Sequence, residues 1–381
     1  MTELPSEFDP IRPYFDHEVN DVLQRLSGKK SFLALMSFLF PEQSTEDIIA
    51  NFDNIHSTFE FQRQYIHQGI RRIMEDSTTS VTHSGLADLP PDQAYLFISN
   101  HRDIILDPGI LNVLLFEHHI ETTQNAIGDN LVETRLVNDL MKLNKSFVVH
   151  RNPERANILP FAKRLSTYIR HILKQKRKSI WLAQRNGRTK DGSDRTHPGM
   201  LKMLNMSGSG TLVERTRALQ ITPMAISYEF EPCDGLKAEE LVHQKLGLPY
   251  EKDDRKGIIE GIRGQKGRVH LALGRPLDQT LEEIDATLPA KKWLSALAGK
   301  IDEQIYQLYT LWPSHYIAAD MIQGSTAYAN QYRDEHKEGF IRHMEKRLRH
   351  LKGPREALER QFLEIYAAPV FNACGTPLPK E

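Results

Sequence analysis

The spacing of hydrophobic and polar residues changes along this 381-residue chain and divides it into three regions. Up to about residue 80 the apolar residues recur at helical spacing, most clearly between Glu46 and Glu75. Short strand-like apolar runs then alternate with longer helical stretches, and a second helical pattern follows. We therefore predict an N-terminal helical region at 1–80, an α/β core at 81–280 and a C-terminal helical region at 281–381.

The middle region has the pattern of an α/β fold. Its strand candidates are Tyr95–Ser99, Gln124–Ile127, Phe147–His150, Ser179–Ala183, Ile221–Tyr228 and Val269–Leu273. The helix candidates between them are Pro108–His119, Asn130–Leu143, Ala156–Lys174 and Met200–Arg217. Strands separated by helices of this length need crossover connections, which make the sheet largely parallel and cover both of its faces. The predicted fold class is α/β, with helices flanking the sheet and helical additions at both ends.

Composition excludes several classes of protein. A hydrophobic content of 40% and a net charge of -1 are typical of a folded globular chain and exclude a disordered one. The two cysteines, Cys233 and Cys374, lie far apart without metal-ligand spacing, so we expect neither a disulfide framework nor a metal site. The same two cysteines favour a reducing cytoplasm, and the acidic amino terminus lacks the pattern of a signal peptide.

The most apolar segment, Ser31–Phe40, follows Lys29 and Lys30 and is too short to span a bilayer. One interpretation is a buried helix in an N-terminal bundle. The other is a helix in the membrane interface, with its phenylalanines and leucines among acyl chains and its lysines on phosphates.

Charge is concentrated between Lys142 and Lys202, where sixteen basic residues face three acidic ones. This asymmetry indicates an anionic partner, which can be nucleic acid, an anionic membrane surface, or a phosphorylated or CoA-bearing substrate. Part of the run, Lys174–Lys178, reads as the solvated end of a helix. A non-catalytic binder of RNA or of a membrane surface is thus the alternative to an enzyme. Few aromatic residues accompany the charges, which argues against RNA, and we expect no nucleic-acid partner.

The strand candidate ending at Ser99 runs directly into Asn100-His101, with Asp103 and Asp107 close behind. Ligands bind at strand ends in open α/β sheets. A histidine there can act as a general base, and a nearby aspartate can fix its tautomer. Because Asp107 precedes a proline, it also fits a helix-capping role, and the two roles can coexist.

Three later strand candidates end in or contain residues suited to a binding pocket. The strand at 147–150 is followed by Arg151 and shortly by Arg155, and arginine binds two phosphate oxygens at once. The strand at 179–183 leads into a loop with Arg185, Asn186, Gly187, Arg188 and Lys190. Glycine in such a loop lets backbone N–H groups approach an anion. The strand at 221–228 contains Pro223, which suits an early strand position and a pocket wall.

The order and spacing of these four segments resemble the glycerol-3-phosphate and 1-acylglycerol-3-phosphate acyltransferases, the PlsC-like family, over roughly the middle half of the chain. Asn100-His101 with a downstream aspartate resembles the family's first block, Asn-His followed after four residues by Asp. The run Phe147–Arg151 is similar to the second block, and Asn186-Gly187-Arg188 stands where the third has Glu-Gly followed by Arg. The strand Ile221–Ile226 is similar to the fourth, which contains a proline.

The resemblance implies a mixed sheet flanked by helices, with a phosphate site and an acyl tunnel. It implies an O-acyltransferase that moves a fatty acyl group from acyl-CoA or acyl carrier protein to the hydroxyl of glycerol 3-phosphate or 1-acylglycerol 3-phosphate in phospholipid synthesis. No cofactor is expected. We expect a cytoplasmic protein attached peripherally to the inner face of the membrane, through basic residues and Phe32–Phe40.

The implied roles follow the motifs. His101 is the general base and Asp107 its orienting partner. Arg151 and Arg188 bind the substrate phosphate, with Arg185 and Lys190 as rivals of Arg188. The pocket residues are Asn100, Asp103, Gly187 and Pro223.

Two departures from the family pattern leave alternatives open. Five residues, not four, separate His101 from Asp107, so Asp107 needs a local bulge to reach the imidazole and Asp103 competes for that role. In the third block Asn186 replaces the glutamate, and Arg188 follows the glycine directly, not two residues on.

Overall fold

The computed structural model describes residues 4–90, 92–151, 157–251 and 253–379. The strands in this part of the chain are β1 (Ser80–Ser84), β2 (Leu96–Ser99), β3 (Gln124–Gly128), β4 (Ser146–Val149), β5 (Ile180–Ala183), β6 (Ile221–Tyr228) and β7 (Arg268–Leu273). The first helices are α1 (Asp16–Ser27), α2 (Lys30–Leu39), α3 (Thr45–Phe52), α4 (Thr58–Phe61), α5 (His67–Ser77), α6 (Leu106–Glu117), α7 (Arg135–Leu143), α8 (Ile158–Lys174) and α9 (Pro198–Leu204). The later ones are α10 (Leu212–Arg217), α11 (Asp234–Leu246), α12 (Asp254–Arg263), α13 (Asp278–Glu282), α14 (Ala290–Leu308), α15 (Pro313–Gln323), α16 (Asp334–Leu348) and α17 (Arg355–Cys374).

The strands form one sheet in the order β1-β7-β6-β2-β5-β3-β4. Neighbouring strands are parallel except for β6 and β7, which are antiparallel. The predicted fold class, a mixed and largely parallel sheet flanked by helices, is confirmed. Because β2 lies between β5 and β6, the residues that follow Ser99 emerge at the middle of the sheet.

The central strands are buried on both faces, which is why they read as continuous apolar runs. On one face Leu96 and Ile98 pack with residues of α8, α9 and α14. On the other Phe97 packs with residues of α5 and α6. Full burial of each such side chain is worth roughly 1.5–3 kcal/mol, so these layers hold β2 firmly beneath the loop it carries.

The terminal helices form two further clusters. Residues of α1–α4 pack together and also bury Leu143 of α7, from the middle of the chain. Residues of α15, α16 and α17 pack together with Ala238 and Val242 of α11. The division at residues 80 and 280 stays a prediction, and both helical clusters share side chains with the part between them.

The edge strand β1 was not predicted, because Ser80–Ser84 is mostly exposed and carries no apolar run. Two of the helical stretches are divided into separate helices at glycines with positive φ angles. Met200–Arg217 splits into α9 and α10 around Gly208 and Gly210, whose φ angles are +95° and +88°. Pro354, after Gly353 at φ +133°, separates α16 from α17.

The apolar segment near residue 35 forms α2, which is buried on one side and exposed on the other. Phe32 and Met36 are buried against the other N-terminal helices, whereas Phe38 is 48% exposed. None of the helices in the described part of the chain is long and apolar enough to cross a bilayer.

Candidate active site

His101 lies just beyond the end of β2 and contacts the carboxylate of Asp107. The distance from Nδ1 of His101 to Oδ2 of Asp107 is 2.8 Å. The imidazole is almost buried, and its ring packs edge-on against Trp181 of β5 at 5.3 Å between centroids. Because an ionised carboxylate only accepts hydrogen bonds, this contact places the proton on Nδ1 and leaves the lone pair of Nε2 for a substrate.

Asp107 is fully buried, and both of its carboxylate oxygens accept hydrogen bonds. Its Oδ2 also accepts from the backbone N–H groups of Arg102, at 2.5 Å, and Asp103, at 3.0 Å. Its Oδ1 accepts from the Tyr228 hydroxyl at 2.7 Å. Burial, together with the nearby Asp107 charge, raises the pKa of Tyr228 well above its ordinary value, so the phenol stays protonated and donates. These donors stabilise the charged carboxylate beside His101.

The extra residue between His101 and Asp107 is accommodated by the loop before α6. This helix begins at Leu106, so Asp107 lies in its first turn and not at its N-cap. The capping role belongs to Asp103, whose Oδ1 accepts from the backbone N–H groups of Ile105 at 2.8 Å and Leu106 at 2.9 Å. Of the two aspartates proposed as partners of His101, Asp107 is therefore the one placed at hydrogen-bonding distance.

A cationic cavity of about 500 Å³ opens beside His101. Its basic lining residues are Arg151, Arg185, Arg188 and Lys190, and Gly187 lies among them. Asp129 and Asp191 also line it, so the four basic side chains are only partly balanced. The structure thus brings all four predicted phosphate-binding residues to one cavity, while Arg155 lies outside the described residues.

The four basic residues are held differently. Lys190 forms an ion pair with Glu240, and Arg188 donates to Sγ of Cys233 at 3.3 Å. Arg151 lies over Gly128 at the end of β3, so closely that a Cβ at residue 128 would be 2.2 Å from its Nε. Gly128 therefore matters for its lack of a side chain, a role that the sequence did not reveal.

An apolar cavity of about 250 Å³, here called the α6 cavity, extends from His101 beneath α6. It lies between Gly109 and Val113 of α6 on one side and Ile66 and Ile70 on the other. Leu35 of α2 and Ile258 of α12 also line it. The N-terminal helices thus form part of the site, which their sequence gave no reason to expect.

A second apolar cavity, the α8 cavity, has a volume of about 760 Å³ and lies on the other side of His101. Apolar side chains of α8 and α9 line it, among them Phe161, Leu165 and Met203. Arg164, Arg185, Arg195 and His197 contribute polar groups to the same lining. His101 and Arg151 line both apolar cavities and the cationic one, so all three meet at these two side chains.

Three residues expected in the pocket have other positions. Asn100, Asp103 and Pro223 are absent from the linings of these three cavities. Asn100 is buried and bonds in both directions, at 2.9 Å, with the backbone of Ile226, which fixes the end of β2 against β6. Asp103 caps α6, as described above.

Pro223 is inside β6 and not at its first position, and it pairs with Ile98. Its carbonyl accepts from the N–H of Gly274 at 2.8 Å, just after β7 has ended. A proline has no N–H to return this bond to Gly274, so the pairing of β6 with β7 loses one bond at this point, where β7 has already ended.

No group of three or more His, Cys, Asp or Glu side chains is placed to hold a metal ion among residues 4–90, 92–151, 157–251 and 253–379.

Residues 80–227 match the model of the family described as Acyltransferase, a segment that contains His101, Asp107 and all four basic residues of the cationic cavity. No curated protein matches the chain. Among solved structures it is similar to the 1-acyl-sn-glycerophosphate (LPA) acyltransferase PlsC from Thermotoga maritima, with 13% identity over 75% of this chain and 95% of that one and a TM-score of 0.35. Over residues 80–227, this chain is thus similar to the acyltransferase family.

Proposed function

We propose that this protein is an acyltransferase that moves a fatty acyl group from an acyl thioester, acyl-CoA or acyl carrier protein, to the free hydroxyl of 1-acylglycerol 3-phosphate. The observation that carries the proposal is the meeting of one cationic and two apolar cavities at His101. A phosphate monoester fits the cationic cavity. A donor and an acceptor that each carry an acyl chain need two apolar cavities, whereas glycerol 3-phosphate as acceptor would need only one.

In the proposed reaction, Nε2 of His101 removes the proton of the acceptor hydroxyl as its oxygen attacks the thioester carbonyl carbon. The new C–O bond forms, the C–S bond breaks, and the thiolate leaves with the proton from the imidazolium. Asp107 stabilises that imidazolium through Nδ1. Arg151 and Arg188, with Arg185 and Lys190 as rivals of Arg188, bind the acceptor phosphate and hold the hydroxyl near Nε2. Positioning of this kind can supply several kcal/mol.

The alternative, RNA or membrane binding through the basic segment 142–202, has less support from the positions of its residues. Four of them line the cationic cavity. Lys145 is buried, and burial lowers its pKa to about 8. Arg170 lies over Gly208 and donates to the carbonyl of Leu204 at 3.1 Å. The basic residues are therefore divided among several places, which is not what a nucleic-acid surface requires.

Peripheral membrane attachment is part of the proposal, and two exposed apolar side chains near the lining of the α6 cavity support it. Phe38 of α2 and Ile259 of α12 are 48% and 54% exposed. Each is close in sequence to a residue that lines the cavity, Leu35 and Ile258 respectively. The guanidinium of Arg263 lies 5.4 Å from the Phe38 ring. Apolar side chains beside a basic one suit the boundary between acyl chains and anionic headgroups.

Cosedimentation with anionic liposomes tests the attachment. The double variant F38S/I259S should lose most of its binding. The matched control L246S removes a side chain that is 51% exposed at the end of α11, and it should bind like the wild type. Equal binding by all three proteins would contradict this location, and no binding by the wild type would contradict attachment itself.

The activity is tested by supplying the purified protein with acyl-CoA or acyl carrier protein as donor and with 1-acylglycerol 3-phosphate or glycerol 3-phosphate as acceptor. We expect formation of a diacyl product, with a higher kcat/KM for the monoacyl acceptor. Preference for glycerol 3-phosphate would overturn the choice of acceptor. Absence of acyl transfer with every pair would overturn the proposed function.

A further inference from the structure

A buried group of four charged side chains lies behind His101. Arg102, the next residue along the chain, forms ion pairs with Asp194 and, at 3.0 Å, with Glu231. Lys237 of α11 contacts the other oxygen of Glu231 at 2.5 Å. All four side chains are at most 3% exposed. Two cations and two carboxylates make this cluster neutral overall, which is the condition under which buried charges are tolerated.

The cluster also holds the backbone on which His101 depends. The peptide between His101 and Arg102 donates its N–H to Asp107 at 2.5 Å, and its carbonyl accepts from the N–H of Thr189 at 2.7 Å. The next peptide, between Arg102 and Asp103, donates its N–H to Asp107 at 3.0 Å, and its carbonyl accepts from Nζ of Lys237 at 2.9 Å. Each peptide is therefore fixed by Asp107 on one side and by a distant residue on the other.

Since Oδ2 of Asp107 accepts both peptide N–H groups and contacts Nδ1 of His101, rotation of either peptide would disturb the His101–Asp107 contact. Lys237 is the side chain that resists rotation of the second peptide. Its ammonium group also balances the negative charge of Glu231. Lys237 therefore has two roles, the bond to the Arg102 carbonyl and the charge balance of the cluster.

Glu231 is itself anchored by the C-terminal helices. Its backbone N–H donates to the hydroxyl oxygen of Tyr366, in α17, at 2.8 Å. That hydroxyl donates to Asp234 at 2.8 Å, and Asp234 forms ion pairs with His343 at 2.7 Å and Arg347 at 2.5 Å. Glu231 and Lys237 both follow residue 227, where the family match ends.

We propose that Lys237 and Glu231 are positioning residues for the acyl transfer: the C-terminal part of the chain uses them to hold the turn that carries His101 in its reactive orientation. The proposal rests on the proposed function, in which His101 is the base. It assigns to residues outside the matched domain a role in the rate of the reaction and not only in stability.

The experiment compares K237M with the double variant E231Q/K237M. The single variant removes the bond to the Arg102 carbonyl and leaves the cluster with an uncompensated negative charge. The double variant also lacks that bond but restores charge balance, because Arg102 and Asp194 remain as a neutral pair. We measure kcat and KM for both substrates and the thermal unfolding of each protein. K145M is the matched control, because it removes another buried lysine whose partners, Thr122 and Glu121, are not part of this cluster.

We expect both Lys237 variants to lose kcat by about 10- to 100-fold with little change in KM, since small misplacements of a catalytic group cost this much. The Tm should fall in K237M and recover in E231Q/K237M, while kcat stays low in both. K145M should keep the wild-type kcat. If kcat recovers together with Tm in the double variant, or is unchanged in both, Lys237 has only a structural role. A wild type without acyl transfer would instead overturn the proposed function, so the two failures are distinguishable.

Discussion

The guanidinium of Arg151 packs directly over Gly128, where a Cβ would lie 2.2 Å from Nε and 2.8 Å from Cζ. Gly128 is the last residue of β3, and Arg151 comes shortly after the end of the adjacent strand β4. Any side chain at residue 128 would therefore push Arg151 away from the point where the three cavities meet. The position of Arg151, the residue proposed to bind the phosphate, therefore depends on the absence of a side chain at Gly128.

Both R151M and G128A should weaken binding of the phosphorylated acceptor. Loss of a hydrogen bond to a charged group costs about 1.5–3 kcal/mol, so we expect the acceptor KM to rise by about 10- to 100-fold in R151M. A smaller rise in the same direction is expected for G128A. Steady-state kinetics at saturating acyl donor measure the effect. G339A, where an added Cβ meets nothing within 4 Å, is the matched control for the glycine substitution.

An unchanged acceptor KM in R151M would assign the phosphate to Arg185, Arg188 or Lys190. If the acceptor KM rises in R151M but is unchanged in G128A, Arg151 binds the phosphate without needing the glycine at residue 128.

Removal of the imidazole in H101A should lower kcat/KM by about 10²- to 10⁴-fold, the range that general base catalysis contributes. D107N keeps the shape of its side chain but loses the charge that stabilises the imidazolium, so it should lower kcat more than KM. Product formation under single-turnover conditions measures both effects. H83A, which removes an exposed histidine of β1, is the control and should keep wild-type activity. Wild-type rates in H101A would contradict the proposed mechanism.

The α6 cavity predicts a change in acyl selectivity on G109A. A Cβ at residue 109 would lie 3.1 Å from Cδ1 and 3.3 Å from Cγ2 of Ile70, across the apolar lining. Because alanine favours a helix over glycine by about 1 kcal/mol, loss of stability is not the expected effect. We expect kcat/KM for long-chain acyl donors to fall by about 10-fold, with little change for short-chain donors.

A donor series of increasing chain length measures this selectivity. The matched control is G299A in α14, another helical glycine, where a Cβ meets nothing within 4 Å. G299A should keep the wild-type preference. An equal fall for all chain lengths in G109A would show that the acyl group occupies a different cavity, and the α8 cavity would then be the candidate.

The features of this fold that could be predicted are those that a short stretch of sequence determines by itself. The buried central strands are continuous apolar runs, so Ile180–Ala183 and Ile221–Tyr228 could be located within a residue, and their spacing predicted a largely parallel sheet. The edge strand β1 carries no such run, since its residues are mostly exposed. The roles of Asp103 and Asp107 could not be separated, because they depend on where α6 begins.

The contacts that complete the site join distant parts of the chain. Tyr228 donates to Asp107 across 121 residues, and Lys237 donates to the Arg102 carbonyl across 135 residues. No local pattern marks either residue, because a tyrosine at the end of a strand and a lysine in a helix are ordinary. The same is true of Gly128, whose importance is visible only when Arg151 lies over it.

A half-buried carboxylate on α14, Asp302, predicts a pH-dependent change in stability. Burial raises the pKa of Asp302 to about 6, against an ordinary value of 3.8, and its Oδ1 accepts from the Thr196 N–H at 2.7 Å. Between about pH 4 and pH 6 the unfolded chain has released this proton while the folded chain retains it. Because the folded state binds more protons, the stability contributed by Asp302 is present below pH 4 and is lost as the pH rises to 6.

D302N keeps an oxygen that can accept from Thr196 and removes the titration. Its free energy of unfolding should be close to that of the wild type near pH 4 and exceed it by up to about 3 kcal/mol above pH 6, since each unit of pKa shift is worth about 1.4 kcal/mol. Urea denaturation at pH 4.5 and pH 7.5 measures the difference. E303Q, which changes the exposed carboxyl of the next residue in α14, should stay close to the wild type at pH 7.5. A D302N protein less stable than the wild type at pH 7.5 would mean that the charged carboxylate stabilises its surroundings through Thr196 more than its burial costs.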